Sequence, residues 1–510
     1  MKKIVRVVFG IFLIAFTFLT LSGCKKFLDR KPLNVTLDDL PGGGLEGQIF
    51  GLYSAIRASA GAGFGTLPWL SMHGFRSDDA IKGSDATDGS DYESIFDNFN
   101  YTKSHWANDT YYGDHYSLIG LANTAIQFAD SLKLADPKSM VNIGEAKFFR
   151  AFAYFDLVRT YGQVPKIDFR VFEASEGNIP KATEAELFAL IDADLTSAAQ
   201  SLPMKWTGED ATKYPGRLTS GSAKALHVRT LMFRKQWPQA LALAQSVIAS
   251  GVYKLHNNYS TIFTESGENS EESIFEIQMY VGPGGVNDNG SNYGVSQGVR
   301  GAGEWNLGWG WNTPSQQLVD AYEPGDPRKN ATILFSGQSD GLYGRVLPPF
   351  PAQLPRPYWN KKVYTDPAMR ASIGRLTGDY VNQREIRYAD VLLLAAEAAN
   401  EIGGAANIKL ADSLVELVRA RARVSTPPPP AGSLPKITFV NQAQMRAAIQ
   451  QERRVELGME NQRFFDLVRW GIADSVLRPL GYKPINRYYP LPQGAIDKAG
   501  GKLVQNPDYP

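Results

Sequence analysis

The sequence predicts a mainly α-helical protein. Tetratricopeptide-like helical hairpins form a scaffold, and a long irregular, loop-rich insert carries the ligand site. Three observations lead there. Apolar residues recur every three or four positions from about residue 45 to 256, and again after 381. Capping residues and helix-stopping glycines sit at the ends of those stretches. Between about 257 and 380 the period vanishes, and residues 282–311 alone hold ten glycines.

The elements follow in order. Ile49, Leu52, Tyr53 and Ile56 mark one face of a helix over 45–60. Residues 116–134 and 140–161 read as a helical pair broken at Asp136-Pro137, where proline suits a first turn. Thr183 with Glu186 three residues on is a capping box opening a helix to Leu202. Helices at 220–235 and 238–250 form a hairpin about one tetratricopeptide repeat long, with Ala240, Ala244 and Val247 as its packing face. A second hairpin, 385–402 and 406–422, turns at Gly403-Gly404. Another amphipathic helix covers 442–458. Within the insert only 273–281 alternates enough to read as a strand. The four prolines from Pro427 read as a stiff connector between helices. This divides the chain into 1–23, a signal segment; 24–41, a tether; 42–256, helical hairpins; 257–380, the variable loop-rich region; and 381–510, a helical C-terminal part.

Composition narrows the function. Fifty-three basic residues face 52 acidic ones, a balance that argues against nucleic acid as the partner. Lys2, Lys3 and Arg6 precede an uncharged stretch from Val7 to Leu21, the length of a signal-peptide core and short for a membrane span. Leu21-Ser22-Gly23-Cys24 follows and resembles a bacterial lipobox, with Cys24 the lipidated residue. Cys24 is the sole cysteine, so no intrachain disulfide and no cysteine zinc site can form, and the five histidines fall at no metal-ligand spacing. The expectation is an exported soluble domain on a lipid leash.

Several segments resemble one family, the SusD/RagB outer-membrane lipoproteins of Bacteroidetes. They are Cys24 to Asp29 with Pro32; Gly144 to Ala151 with Tyr154-Phe155-Asp156-Leu157, Tyr161-Gly162 and Pro165; and Ile386 to Leu393 with Glu397. Further on come Glu452 to Leu457 with Arg463 and Phe465 to Gly471, and finally Tyr489 to Pro492 with Gln505 to Tyr509. Asn461 and Asp508 stand where the family usually has glycine. The resemblance implies a lipid-anchored binding protein of the outer membrane, facing the cell surface, without catalysis or cofactor, working with a SusC-like TonB-dependent transporter. The charges in these motifs (Glu145, Arg150, Arg453, Glu456, Arg463, Asp466) recur at helical spacing among apolar residues, which reads as paired charges locking helix packing.

A sugar offers apolar C–H faces and a rim of hydroxyls, so aromatic rings beside Asn, Asp or Arg are the groups to seek. Two stretches have both. Trp305, Asn306, Trp309, Trp311 and Asn312 lie within eight residues, separated by glycines, and read as an exposed platform. Trp69, Arg76, Asp78 and Trp106 form the second group. In both groups the indoles could instead fill the core beneath a loop. Asp78, Asp79, Asp85, Asp88, Asp91, Glu93 and Asp97 form an acidic run, which reads as a solvated surface, with calcium the alternative.

The leading reading is a lipoprotein that captures a glycan and passes it to the transporter; the same role for a peptide or other non-glycan nutrient is the alternative. Two readings of other classes stand beside it: a helical-repeat outer-membrane scaffold without a small ligand, and a glycoside hydrolase using two acids near 78–97.

Overall fold

The computed structural model describes residues 43–57, 66–425, 428–439 and 441–509. The signal segment, Cys24 and the tether lie outside the described residues. The chain is mostly helical. Helices α1 (Gly44–Arg57) and α2 (Leu67–His73) precede the scaffold. Helices α3 (Trp106–Ser131), α4 (Pro137–Tyr161), α5 (Glu184–Ser201), α6 (Ser220–Phe233) and α7 (Trp237–Ala249) then pack each against the next. After the insert the stack continues with α8 (Tyr388–Ile402), which lies on α7, then α9 (Ala405–Arg423) and α10 (Gln442–Glu456). Helix α11 (Arg463–Trp470) follows.

Local chemistry accounts for the helix ends. Asp136 caps α4 by accepting from the Ser139 N–H, with Pro137 in the first turn. Thr183 and Glu186 close the reciprocal capping box expected for α5. Two starts differ from expectation. Helix α3 begins at Trp106 rather than Tyr116, because His105 caps it by accepting from the Ala107 N–H. Its first turns bury Asn108 and Tyr111, a mixed face that blurs the apolar period. Residues 385–387 are strand, and the second hairpin starts only at Tyr388.

Three short antiparallel pairs hold the insert. Strand β2 (Ser273–Ile277) pairs with β6 (Gln383–Arg387), so the chain leaves and rejoins the scaffold at one neck. Strand β4 (Ile333–Phe335) pairs with β5 (Tyr358–Asn360) inside the insert. Strand β1 (Ala80–Gly83) pairs with β3 (Trp311–Pro314), Ala80 opposite Pro314, and stitches the N-terminal part to the insert. The insert is therefore folded, with its own apolar cluster around Trp305, Leu334, Leu347 and Trp359.

Buried ion pairs tie the helices together, as the motif charges suggested. Arg150 forks onto Asp194 at 2.7 and 2.8 Å, joining α4 to α5. Glu145 takes two bonds of 2.8 Å from Arg217 and one of 2.7 Å from the Tyr53 hydroxyl. Arg453 bridges Asp390 and Asp466. The densest knot lies at the neck. Arg387 and Arg421 both donate to Glu272 and to Glu456, so β6, α9, α10 and the approach to β2 share one network. Four charges buried this deeply persist only because each is paired. The C-terminal motif is anchored too: the Asn506 amide donates to the Tyr161 carbonyl at 2.9 Å. Asn461 and Asp508 have φ of 61° and 69°, the left-handed region that glycine favours and that Asn and Asp tolerate best among the rest.

Candidate functional site

Six of the nine ligand-contact candidates are buried. Trp305, 5% exposed, stacks on Tyr364 at 6.2 Å between ring centres. Trp311, 4% exposed, stacks on Phe75 and meets the edge of Tyr92 at 4.9 Å. Asn312 is enclosed, its amide donating to Gln297 at 2.8 Å and Asn461 at 3.0 Å. Trp69 stacks on His73 at 4.1 Å in the main core. Arg76 lies over the Phe464 ring at 4.2 Å and donates to the Met72 carbonyl. Asp78 is buried and held by Arg463, at 2.8 and 2.9 Å, and by Arg454. The three-indole platform is thus corrected to one exposed ring. The cause is what the glycines do. A Cβ on Gly308 would stand 2.2 Å from the Val295 carbonyl, and one on Gly298 would stand 2.3 Å from that of Leu307. The glycines let two backbone stretches press together and bury the neighbouring rings.

Trp309, Trp106 and Asn306 remain accessible. Trp309 is 37% exposed and Trp106 47%. Asn306 is exposed and bridges to Arg300. Residues 84–92 lie alongside them. The Ser84 N–H donates to the carbonyl of Gly310, next to Trp309. Gly89 sits so close to Trp311 that a Cβ there would fall 2.4 Å from its ring. Tyr92 contacts both Trp311 and Trp106, so the loop meets Trp106 at its far end and the residue after Trp309 at its near end.

That loop is preorganised. Asp85 accepts from the Thr87 hydroxyl at 2.7 Å and from the Thr87 and Asp88 N–H groups. Those bonds, led by the Thr87 hydroxyl, hold its carboxyl below the usual range. Arg300 reaches both Asp85, at 3.0 Å, and Asp88. Beneath them the Lys82 ammonium donates to the Asp85 and Asp88 carbonyls, 5.4 Å from the centre of Trp311. Arg356 donates to the Gly83 and Ser84 carbonyls and fixes the loop's entry. Arg300 and Arg356 escaped the sequence reading, since nothing local marks an arginine that reaches across 200 or more positions.

The acidic run does not converge. Asp78 and Asp79 face Arg454 and Arg463, Asp85 and Asp88 face Arg300, and Asp91 faces His105. Asp97 is enclosed and accepts from the Lys82 N–H at 2.8 and 3.0 Å; burial pushes its carboxyl up to about 8. Among the described residues no group of three or more His, Cys, Asp or Glu could hold a metal ion. Together, the partly exposed indoles, the carboxylates at the rim and Arg300 make a surface able to cover an apolar face and bond surrounding hydroxyls.

Comparison with known proteins agrees with this architecture. A family model described as the SusD family matches residues 271–484. A second, described as starch-binding and associating with the outer membrane, matches 75–227. The chain is 28% identical to SusD-like protein P2 of Formosa agariphila, over 96% of this chain and 98% of that one. A solved laminarin-binding SusD-like protein is 27% identical and superimposes with a TM-score of 0.71, covering 91% of this chain and 99% of that one. The fold is also that of surface glycan-binding protein A of Bacteroides thetaiotaomicron, solved in complex with laminarihexaose (TM-score 0.72, 23% identity, 91% and 98% covered). The SusD family model and the starch-binding model together match most of the chain, and a SusD-like relative aligns over nearly its full length, so this protein belongs to the SusD-like family.

Proposed function

We propose that the chain is a surface lipoprotein of the outer membrane that binds a glycan on the Trp309–Trp106 face and passes it to a SusC-like TonB-dependent transporter. The observation that carries this reading is the pairing of exposed indoles with a rigid, hydrogen-bonding loop at residues 84–92. An aromatic ring left in water beside fixed polar groups suits a pyranose better than it suits a solvated surface. The laminarin-binding relative and the laminarihexaose complex of a protein of the same fold support the ligand class. The model described as associating with the outer membrane supports the location, and Leu21 to Cys24 supports a lipid anchor there.

Binding without hydrolysis is the better reading of the acids. A glycosidase needs two carboxyls about 5–10 Å apart across the scissile bond. Here the carboxylates of residues 78–88 are committed to arginines. The test has two arms. The purified domain is screened against neutral and acidic oligosaccharides and peptides, with product release measured beside binding. The full chain, extracted in mild detergent from cells that express the adjacent transporter, is then captured. A bound glycan with no cleavage and a co-purifying β-barrel are expected. A peptide as sole ligand would replace the glycan, and recovery of the chain alone would remove the transporter.

A further inference from the structure

A cavity of about 540 Å³ opens on the other side of β4, sharing no lining residue with the Trp309–Trp106 face. That size is within the range of small-molecule sites. Its lining mixes ring surface, from Tyr259 and Phe335, with polar groups, from Asn330, Gln338 and Ser339. The remaining feature is Lys361. It lines the cavity yet is 7% exposed, and its ammonium donates to the Asn330 carbonyl at 2.8 Å and to the Asp340 carbonyl.

An ammonium has three N–H donors, so two carbonyls leave one over. Its position is fixed by its neighbours: Asn330, Asp340 and Gly341 all line the cavity, and a Cβ on Gly341 would lie 3.6 Å from the Lys361 nitrogen. The nearby carboxylates are engaged elsewhere. Asp340 accepts from the N–H groups of Leu342, Tyr343 and Arg345 and from the Tyr364 hydroxyl. Asp326 is held by Arg328 at 2.9 Å. Among the described residues Lys361 thus has no ion-pair partner, while the other buried lysine of the same turn, Lys362, meets Glu460 at 2.6 Å. The Asp340 carboxylate, beyond ion-pair distance, offsets only part of the cost of burying this charge, and an anionic ligand group would offset more of it.

We propose that this cavity is a second ligand site, taking an acidic sugar whose carboxylate is received by the ammonium of Lys361. The ring lies against Tyr259 and Phe335, and its hydroxyls reach Asn330, Gln338 and Ser339. Burial lowers the lysine to about 8, so the site holds an anion at neutral pH and loses its charge above that.

D-glucuronate and D-glucose are matched probes, identical but for a carboxylate in place of a hydroxymethyl group. Each is titrated into the purified domain and followed by ligand-observed NMR. Glucuronate is expected to bind saturably and glucose at least 10-fold more weakly. Lys361→Met keeps the apolar stem and should weaken glucuronate by about 10- to 100-fold, the worth of a charged hydrogen bond. Gln338→Trp, at an exposed position on the lining, should block entry without touching the core. If Lys361→Met does not fold, wild type decides: glucuronate affinity should fall between pH 7 and 9 as Lys361 deprotonates, while the sugar carboxylate stays ionised. Equal binding of the two probes, no saturable binding of glucuronate, unchanged affinity in both variants, or an affinity flat from pH 7 to 9 each overturns the proposal.

Discussion

Replacing Trp309 and Trp311 separately by alanine should give different results, although a single residue separates them. Trp309 leaves 37% of its surface in water. For a side chain of roughly 250 Å² that is about 90 Å² available to a sugar face. At about 25 cal/mol per Å², covering it contributes at most about 2.3 kcal/mol, or about 50-fold in affinity. Little of the fold depends on that exposed area. Trp311 is 4% exposed, packed between Phe75, Tyr92 and the backbone of Gly89. Its removal leaves a core cavity and should cost about 3–5 kcal/mol of stability. The assay reads both quantities: calorimetric titration with laminarihexaose, or with whichever array glycan the wild type binds, and the thermal midpoint. Lost affinity with a smaller fall in midpoint is expected for Trp309→Ala, whose ring is also partly packed, and a larger fall in midpoint with little direct effect on ligand contacts for Trp311→Ala. An unchanged affinity in Trp309→Ala would refute the argument from exposure and move the ligand elsewhere.

Other expectations follow from the same geometry. Arg421→Met leaves Glu272 and Glu456 to share Arg387 and should destabilise by up to about 3–5 kcal/mol, read by denaturant unfolding; a loss below 1 kcal/mol would mean that Arg387 and water satisfy the neck without it. Asp97 titrates near 8 when folded and near 4 when unfolded, so the unfolded chain binds fewer protons between those values and stability falls as pH rises through the window. Asp97→Asn keeps an acceptor for the Lys82 N–H and should raise the thermal midpoint more at pH 8 than at pH 5, while an equal change at both would show that Asp97 is ionised when buried. Cys24→Ala should release the protein from membrane fractions; retention after a high-salt wash without the transporter would place the anchor elsewhere.

The helical scaffold was legible because its residues repeat every 3.6 positions and its caps are chemically specific. Thr183, Glu186 and Asp136 do in space what their spacing says. Apart from β2, which lies within the 273–281 stretch read as a strand, the strands were hidden for the opposite reason. Segments of three to five residues carry too little alternation, and the partner of Ala80 is Pro314. The site inherits that difficulty. A tryptophan between glycines is equally compatible with a bare ring and with a tight backbone crossing, and only the pairing of β1 with β3 decides which. That pairing buries Trp311 and leaves Trp309 outside. The prolines read as a mere connector also gain a role, since Pro428 to Pro430 form one wall of the Lys361 cavity.

The stitch between Ala80 and Pro314 also sets an order of events. Two points so far apart along the chain meet only at a high loop-closure cost, which falls once the intervening helices have stacked and brought them near. The loop at 84–92 and Trp309 come together through that same contact. The face at Trp309 is therefore complete only when the N-terminal part and the insert are both in place, so it depends on the whole span between residues 80 and 314.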